Sequence, residues 1–165
     1  GVAGEGMTKA INWAVMIANN DGYGYDSSAA RTTGWVKWQS DPNCTNQCGS
    51  FDCSSLISAA LTVAGYFDTN PNFWTGNEAQ YLEGAGFKKV ATSATTSQDL
   101  LPGDILLAND HTSLYIGSKQ MVAAHINENG DTSGGQVGDQ TKGEISVSTY
   151  QDHNPPYIAV YRATK

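Results

Sequence analysis

The sequence predicts an α+β domain in which N-terminal helices pack on a central antiparallel sheet of about six strands. Apolar residues recur at helical spacing in the first half of the chain, whereas short β-branched or alternating runs fill the second half. Glycine, asparagine, aspartate and proline separate these runs. Helices followed by consecutive strands favour a meander over alternating βαβ units. The 165 residues suit one domain with its own core, residues 1–165.

Two amphipathic helices and one short helix are predicted. Residues 7–19 place apolar side chains on one stripe, and Gly22 follows that helix. Residues 53–64 repeat the pattern until Gly65, and residues 77–82 form a shorter helix. The interval over residues 22–50 is predicted as an aromatic and glycine-rich loop followed by polar turns.

The strands follow in the second half, where the period changes from helical to alternating. They are predicted over residues 87–91, 104–108, 111–116, 120–126, 145–150 and 157–162. Residues 129–143 form a long polar, glycine-rich loop, and loops of that length are usually functional or mobile.

Composition excludes several classes of partner. A formal net charge of −7 argues against nucleic acid, which attracts clustered lysine and arginine. No apolar run approaches the ~20 residues that span a bilayer, so membrane insertion is not expected. The start on Gly-Val-Ala-Gly, without a basic and apolar leader, suggests a mature or excised domain of a longer protein.

The three cysteines make an odd count. Cys44 and Cys48 are close enough to pair, which would leave Cys53 as a free thiol and indicate an oxidising compartment. A zinc site from the three cysteines and a histidine is the competing interpretation, although their spacing fits no standard zinc knuckle.

Cys53 enters the first turn of its helix. Unpaired N–H groups and the helix dipole there favour the nucleophilic thiolate, although a buried cysteine that only packs is the simpler interpretation. A cysteine nucleophile needs a base within hydrogen-bond reach to take its proton. His111, which opens a predicted strand, is the candidate base, and His125 and Asn127 lie on the next predicted strand. Each of the three histidines, considered alone, could equally be a non-catalytic residue, and His153 is most simply a surface loop residue.

Three motifs in this order resemble the NlpC/P60 superfamily of cysteine cell-wall hydrolases. They are Phe51-Asp-Cys-Ser-Ser-Leu56, Leu101-Pro-Gly-Asp-Ile-Leu106 and His111-Thr-Ser-Leu-Tyr-Ile-Gly117. Further segments resemble its bacteriophage endolysin branch of the "amidase 5" type. These are Gly22–Asp26, Arg31, Ala124–Gly130, Gly134–Thr141 and Gly143–Ile145.

The resemblance implies a papain-like fold with Cys53 as nucleophile and His111 as general base. The third polar group is expected on the following strand, but Ala123 occupies its usual place. His125, two residues later on the same face, is therefore predicted to orient His111, with Asn127 and Glu128 in reserve.

Substrate-binding roles are expected for residues that match positions beside the nucleophile or lie on the strand after His111: Tyr25, Asp52, Ser54 and Asn127. Trp35 is also expected near the cleft. A cation site at Asp21 and Asp26 competes with a solvated turn, and we expect no metal and no cofactor.

The implied activity is hydrolysis of an amide bond in the stem peptide of bacterial peptidoglycan. Cleavage between D-glutamyl and the diamino acid is expected, with an N-acetylmuramoyl-L-alanine amidase as the alternative. A catalytically inactive wall-binding module and an acyl transferase acting on lipid are the alternatives from other functional classes. The expected setting is the cell wall or extracellular space, as a monomeric catalytic domain whose parent protein carries a separate wall-binding domain.

Overall fold

A computed structural model of the chain describes residues 3–165. The helices are α1 (Met7–Ala18), α2 (Thr33–Ser40), α3 (Cys53–Val63) and α4 (Thr75–Gly84), and a 3₁₀ turn, Ala29–Thr32, precedes α2. The strands are β1 (Tyr23–Tyr25), β2 (Gly49–Phe51), β3 (Phe87–Ala91), β4 (Ile105–Leu107), β5 (Thr112–Gly117), β6 (Gln120–Ala124), β7 (Ile145–Thr149) and β8 (Ala159–Ala163).

The main sheet contains all six strands predicted from the sequence. Their order is β3-β8-β4-β5-β6-β7, and every pair is antiparallel. Helices α1 and α3 contact each other and pack on strands β5 to β7. The predicted α+β class is therefore confirmed.

The two faces of the sheet carry different cores. Leu114 of β5 belongs to the large cluster that includes Leu56 of α3, whereas its neighbour Tyr115 joins a smaller cluster on the other face with Tyr157. Successive side chains of a strand point to opposite faces, so β5 contributes to both clusters. This alternation also decides where the polar side chains of β5 lie.

The prediction of a loop over residues 22–50 is wrong in part, because the interval contains α2 and the parallel pair β1–β2. Trp35 and Trp38 stack on each other and pack edge-on against Trp13 of α1. This aromatic cluster supports a helix of only eight residues. Trp35 therefore packs against the core instead of lining the cleft.

None of the described helices has the length and apolar character needed to cross a membrane.

Candidate active site

Cys53 is the first residue of α3, as the sequence predicts, and it is a free cysteine. Asp52 caps the helix: its Oδ1 accepts the Ser55 N–H at 2.9 Å, and Ser55 Oγ accepts the Asp52 N–H at 2.9 Å. This reciprocal capping box satisfies two backbone donors that a helix start leaves unpaired. The thiol is thereby held at a well-defined helix N-terminus.

An open cavity of about 510 Å³ lies in front of this helix start. It is lined by Tyr25, Ser27, Arg31, Asp52, Cys53, Ser54, Trp74, Thr75, Asp110 and Thr132. Trp74 is 59% exposed although it is large and apolar. Thr132 belongs to the long polar loop, which is tied to this wall because its carbonyl accepts the Ser27 N–H at 2.7 Å.

Arg31 joins three segments around the cavity. Its Nε donates to Asp52 Oδ2 at 2.9 Å and its Nη2 to Ser54 Oγ at 3.1 Å. The same guanidinium donates to the carbonyls of Asn72 at 2.8 Å and Phe73 at 2.6 Å. The Asp52 and Ser54 side chains are thus both occupied by structural hydrogen bonds, although they line the cavity.

The Cys53 thiol is protonated in this environment. Burial, with smaller contributions from the nearby carboxylates of Asp52 and, when it is ionised, Glu78, raises its pKa to about 12. The backbone N–H groups of Thr112 and Ser54 point at the sulfur and lower the pKa by a smaller amount. The expectation that the helix start makes Cys53 a thiolate is therefore wrong for the resting site, because desolvation outweighs the backbone dipoles.

His111 precedes β5, and its ring is held from two sides. Nε2 lies 3.1 Å from Ser113 Oγ, and the imidazole stacks on His153 with ring centroids 4.5 Å apart. Burial, with smaller contributions from the nearby His153 and His125 rings, lowers the pKa of His111 to about 3. The imidazole is accordingly neutral at ordinary pH.

The two predicted catalytic residues line different cavities. His111 faces a space of about 320 Å³ together with Met121, His125, Ser148, Thr149, Gln151, Asp152, His153 and Tyr157. Its neighbour Asp110 lines the Cys53 cavity, and the N–H of Thr112 points at the thiol. Residues 110–112 therefore form the boundary between the cavities. Within residues 3–165, no hydrogen bond joins the Cys53 thiol to the His111 ring.

His125 lies beside His111 but does not hydrogen-bond to it within the described chain. The ring centroids are 5.9 Å apart with nearly parallel planes, and His125 Nε2 lies 3.1 Å from Ser146 Oγ on β7. The geometry does not favour His125 as the orienting group, because its ring presents a face to His111.

Asn127 and Glu128 organise the long loop. Asn127 Oδ1 accepts the N–H groups of Asn129 and Asp131, each at 2.9 Å, and Glu128 accepts the N–H of Gln136. Neither residue lines the Cys53 cavity or the histidine cavity. The reserve candidates for the third catalytic position thus have structural contacts instead.

Comparison with known proteins assigns the family. The profile of the endolysin-like domain matches residues 5–120. The chain belongs to this family. Among solved structures it is similar to the peptidoglycan hydrolase RipB from Mycobacterium tuberculosis, with 20% identity and a TM-score of 0.53, over 96% of this chain and 67% of that one.

A second similar structure is the P60 domain of an antigen from M. avium subspecies paratuberculosis. It is 20% identical, with a TM-score of 0.48, and the match covers 95% of this chain and 96% of that one. No curated protein sequence matches significantly. The fold expected from the motifs is confirmed, because the chain shares it with the peptidoglycan hydrolase RipB.

His153, which the sequence assigns to a surface loop, lies against the His111 ring in this endolysin-like domain. Its Nδ1 lies 2.9 Å from the Pro155 carbonyl oxygen, and Asp152 Oδ1 accepts the N–H groups of His153 and Tyr157. These contacts fold residues 152–157 over His111. Nothing in the local sequence signals this placement, because it depends on where the loop crosses the sheet.

The remaining predicted site residues lie around β1. Tyr25 is buried beside Cys53, and burial, followed by the Cys53 charge, raises the pKa of its phenol.

The Cys44 and Cys48 sulfurs form a disulfide, and the Cys48 N–H donates to the Gly22 carbonyl at 2.7 Å. Asp26 Oδ1 accepts the Ser28 N–H. Among residues 3–165, no group of three or more His, Cys, Asp or Glu side chains is placed to hold a metal.

Proposed function

We propose that this endolysin-like domain hydrolyses an amide bond in the stem peptide of bacterial peptidoglycan, with Cys53 as nucleophile and His111 as general base. The observation that carries the proposal is the free Cys53 at the capped N-terminus of α3, in an open cavity, with the backbone N–H groups of Thr112 and Ser54 aimed at its sulfur. The family assignment and the fold shared with a peptidoglycan hydrolase support it.

The reaction starts from a neutral thiol and a neutral imidazole, given the raised pKa of Cys53 and the lowered pKa of His111. The thiol proton passes to His111 as sulfur attacks the carbonyl carbon of the amide. The imidazolium then gives that proton to the leaving nitrogen, so that a free amine and a thioester form. Water adds to the thioester, gives a proton to His111, and the carboxylic acid departs as the thiol is restored.

Transfer of the proton requires His111 to approach the sulfur more closely than it does in the resting structure. Catalytic hydrogen bonds are often long before the substrate binds and tighten in the reacting complex. The N–H of Thr112, the residue after His111, points at the Cys53 sulfur, which supports the proposal that a short approach is enough.

The substrate has identifiable contacts in the cavity. As the first residue of α3, Cys53 has an N–H without an intrahelical acceptor, and this group is placed to donate to the developing oxyanion. Trp74 offers an exposed indole at the cavity wall, and Tyr25 lies beside the nucleophile. We expect these rings to pack against the stem peptide or an adjoining sugar.

The bond between D-glutamyl and the diamino acid is the proposed cleavage site. Digestion of purified cell wall followed by mass analysis of the fragments tests this choice. Stem fragments that begin at the diamino acid are expected. Peptide-free glycan together with stem peptides carrying free L-alanine amino termini would instead identify an N-acetylmuramoyl-L-alanine amidase.

Replacement of the nucleophile tests catalysis itself. Cys53→Ala and Cys53→Ser are expected to abolish the loss of turbidity of a cell-wall suspension while the thermal unfolding transition is retained. Lysis by either variant at the wild-type rate would refute Cys53 as the nucleophile. Wall binding by the wild-type protein without any cleavage would instead identify a binding module.

We further propose that the domain acts as a monomer at the cell wall, directed by a separate wall-binding domain.

A further inference from the structure

A buried chain of polar groups leads away from His111 on the face of the sheet opposite α3. His111 Nε2 lies 3.1 Å from Ser113 Oγ, which lies 2.7 Å from the Tyr157 hydroxyl. The Tyr157 hydroxyl donates in turn to the thioether sulfur of Met121 at 3.9 Å. Ser113 is 0% exposed and Tyr157 is 2% exposed. Water therefore does not compete for these contacts.

Met121, at the end of this chain of polar groups, determines which group donates in each hydrogen bond. A thioether has no hydrogen to donate, so Met121 accepts from Tyr157, although weakly. The Tyr157 oxygen is then free to accept the Ser113 hydroxyl proton, and the Ser113 oxygen accepts the N–H of His111 Nε2. In this direction His111 carries its proton on Nε2 and keeps Nδ1 as the lone-pair acceptor.

We propose that Ser113, supported by Tyr157, is the positioning residue that orients the His111 imidazole for catalysis, in place of a third group on β6. This inference rests on the proposed function. The chain leaves Nδ1 to take the Cys53 proton, and the same donor direction persists when His111 becomes an imidazolium, because Nε2–H still donates to Ser113 Oγ. No group in the chain has to turn as the charge develops.

The strand register explains why β5 supplies this group. Leu114 pairs with Val122 in antiparallel register, so Ser113 and Ala123 are the next residues along the two strands. Alanine has no polar side chain, and the Ser113 hydroxyl provides one on the neighbouring strand. His125 is occupied with Ser146 and stacks on His111 without a hydrogen bond in the described chain.

Two substitutions test the proposal, and a third is their matched control. Ser113→Ala removes the group that contacts the ring, and Tyr157→Phe removes only the supporting hydroxyl. Ser146→Ala deletes an equivalent serine hydroxyl, which lies 3.1 Å from Nε2 of His125. Each variant is measured for kcat and KM on a soluble muropeptide that the wild-type protein cleaves, with its thermal unfolding recorded in parallel.

Ser113→Ala is expected to lower kcat about ten- to a hundredfold with KM within about twofold, because the base is misoriented while the substrate cavity is intact. Tyr157→Phe is expected to lower kcat about three- to tenfold, and Ser146→Ala to keep it within about twofold. Ser113→Thr retains a hydroxyl and is expected to restore most of the lost rate. If Ser113→Ala and Tyr157→Phe both keep wild-type kcat, or if Ser146→Ala loses as much as Ser113→Ala, the proposal is wrong.

A spectroscopic measurement separates this inference from the proposed reaction. Nitrogen-15 NMR of histidine-labelled protein is expected to show His111 as the Nε2–H tautomer in the wild-type protein and a mixture of tautomers in Ser113→Ala. An Nδ1–H tautomer in the wild-type protein would overturn the orientation, whatever the activity. Absence of hydrolysis by a protein with the expected tautomer would overturn the proposed function instead.

Discussion

Glu78 of α4 is a fully buried carboxyl group close to the Cys53 thiol, and its titration predicts how stability depends on pH. Its Oε2 accepts the Thr112 hydroxyl at 2.7 Å, whereas its Oε1 has no hydrogen-bond partner in the described part of the chain. Burial, with a smaller contribution from the charge of Asp52, raises the pKa of Glu78 from 4.5 to about 8, although the hydrogen bond from Thr112 lowers it. The folded protein therefore holds this proton at neutral pH.

Because folding raises the pKa of Glu78, the free energy of unfolding falls as the pH rises. The contribution of Glu78 to the free energy of unfolding is fully present below its unfolded pKa of 4.5 and is lost as the pH rises through about 8. One unit of pKa is equivalent to about 1.4 kcal/mol. Between about pH 5 and pH 9, this one group should therefore remove roughly 4 kcal/mol from the stability of the folded state.

Glu78→Gln removes the titration while keeping the shape of the side chain. The buried amide is expected to cost about 1–3 kcal/mol at low pH, because its N–H groups lack acceptors. At about pH 9 the variant should be more stable than the wild type, since the wild type must then bury a charge. Urea unfolding of both proteins, followed by tryptophan fluorescence at several pH values, measures the difference.

Glu83→Gln, an exposed position on the same helix, is the matched control, and its difference from the wild type should change little with pH. His111 has a lowered pKa, so its contribution to stability is lost as the pH falls from 6.5 through about 3, and it cancels between the wild type and each variant. If the difference between wild type and Glu78→Gln changes by less than about 1 kcal/mol across this range, Glu78 does not titrate as its burial requires.

Two further predictions concern the Cys53 cavity. Asp52→Ala removes the cap of α3 and the ion pair with Arg31, so calorimetry should show a loss of about 2–3 kcal/mol, or roughly 5–10 °C in Tm for a chain of this size; an unchanged Tm would contradict the capping role. Trp74→Ala removes an exposed indole at the cavity wall and should raise KM about tenfold on a muropeptide, with kcat and Tm retained. A lower kcat at unchanged KM would show that Trp74 does not act by binding the substrate.

The local sequence was sufficient to predict the helices and strands whose formation depends on residues close together in the chain. The start of α3 follows from Asp52 and Ser55, three residues apart, and from the apolar period that continues to Val63. The six strands follow from alternating runs and the turn residues between them. The elements within residues 22–50 were harder to predict, because α2 depends on contacts of Trp35 and Trp38 with Trp13 of another helix.

Charge states at the site were not predictable from the same information. A cysteine at a helix start favours the thiolate when solvent reaches it, but Cys53 is only 7% exposed. Burial depends on the packing of α3 against β5, and a charge effect comes from Glu78 of α4, 25 residues away in the chain. Desolvation is thus a property of the assembled site and not of the local motif.

By itself, the sequence determined the fold class, the place of Cys53 at the start of a helix and the start of a strand beside His111, because these follow from local period and capping. Only the tertiary structure decided which groups contact the His111 ring. Tyr157 lies 44 residues from Ser113 in the chain, and His153 reaches His111 through the same returning loop. Such contacts depend on how distant segments cross the sheet, for which neighbouring residues carry no signal.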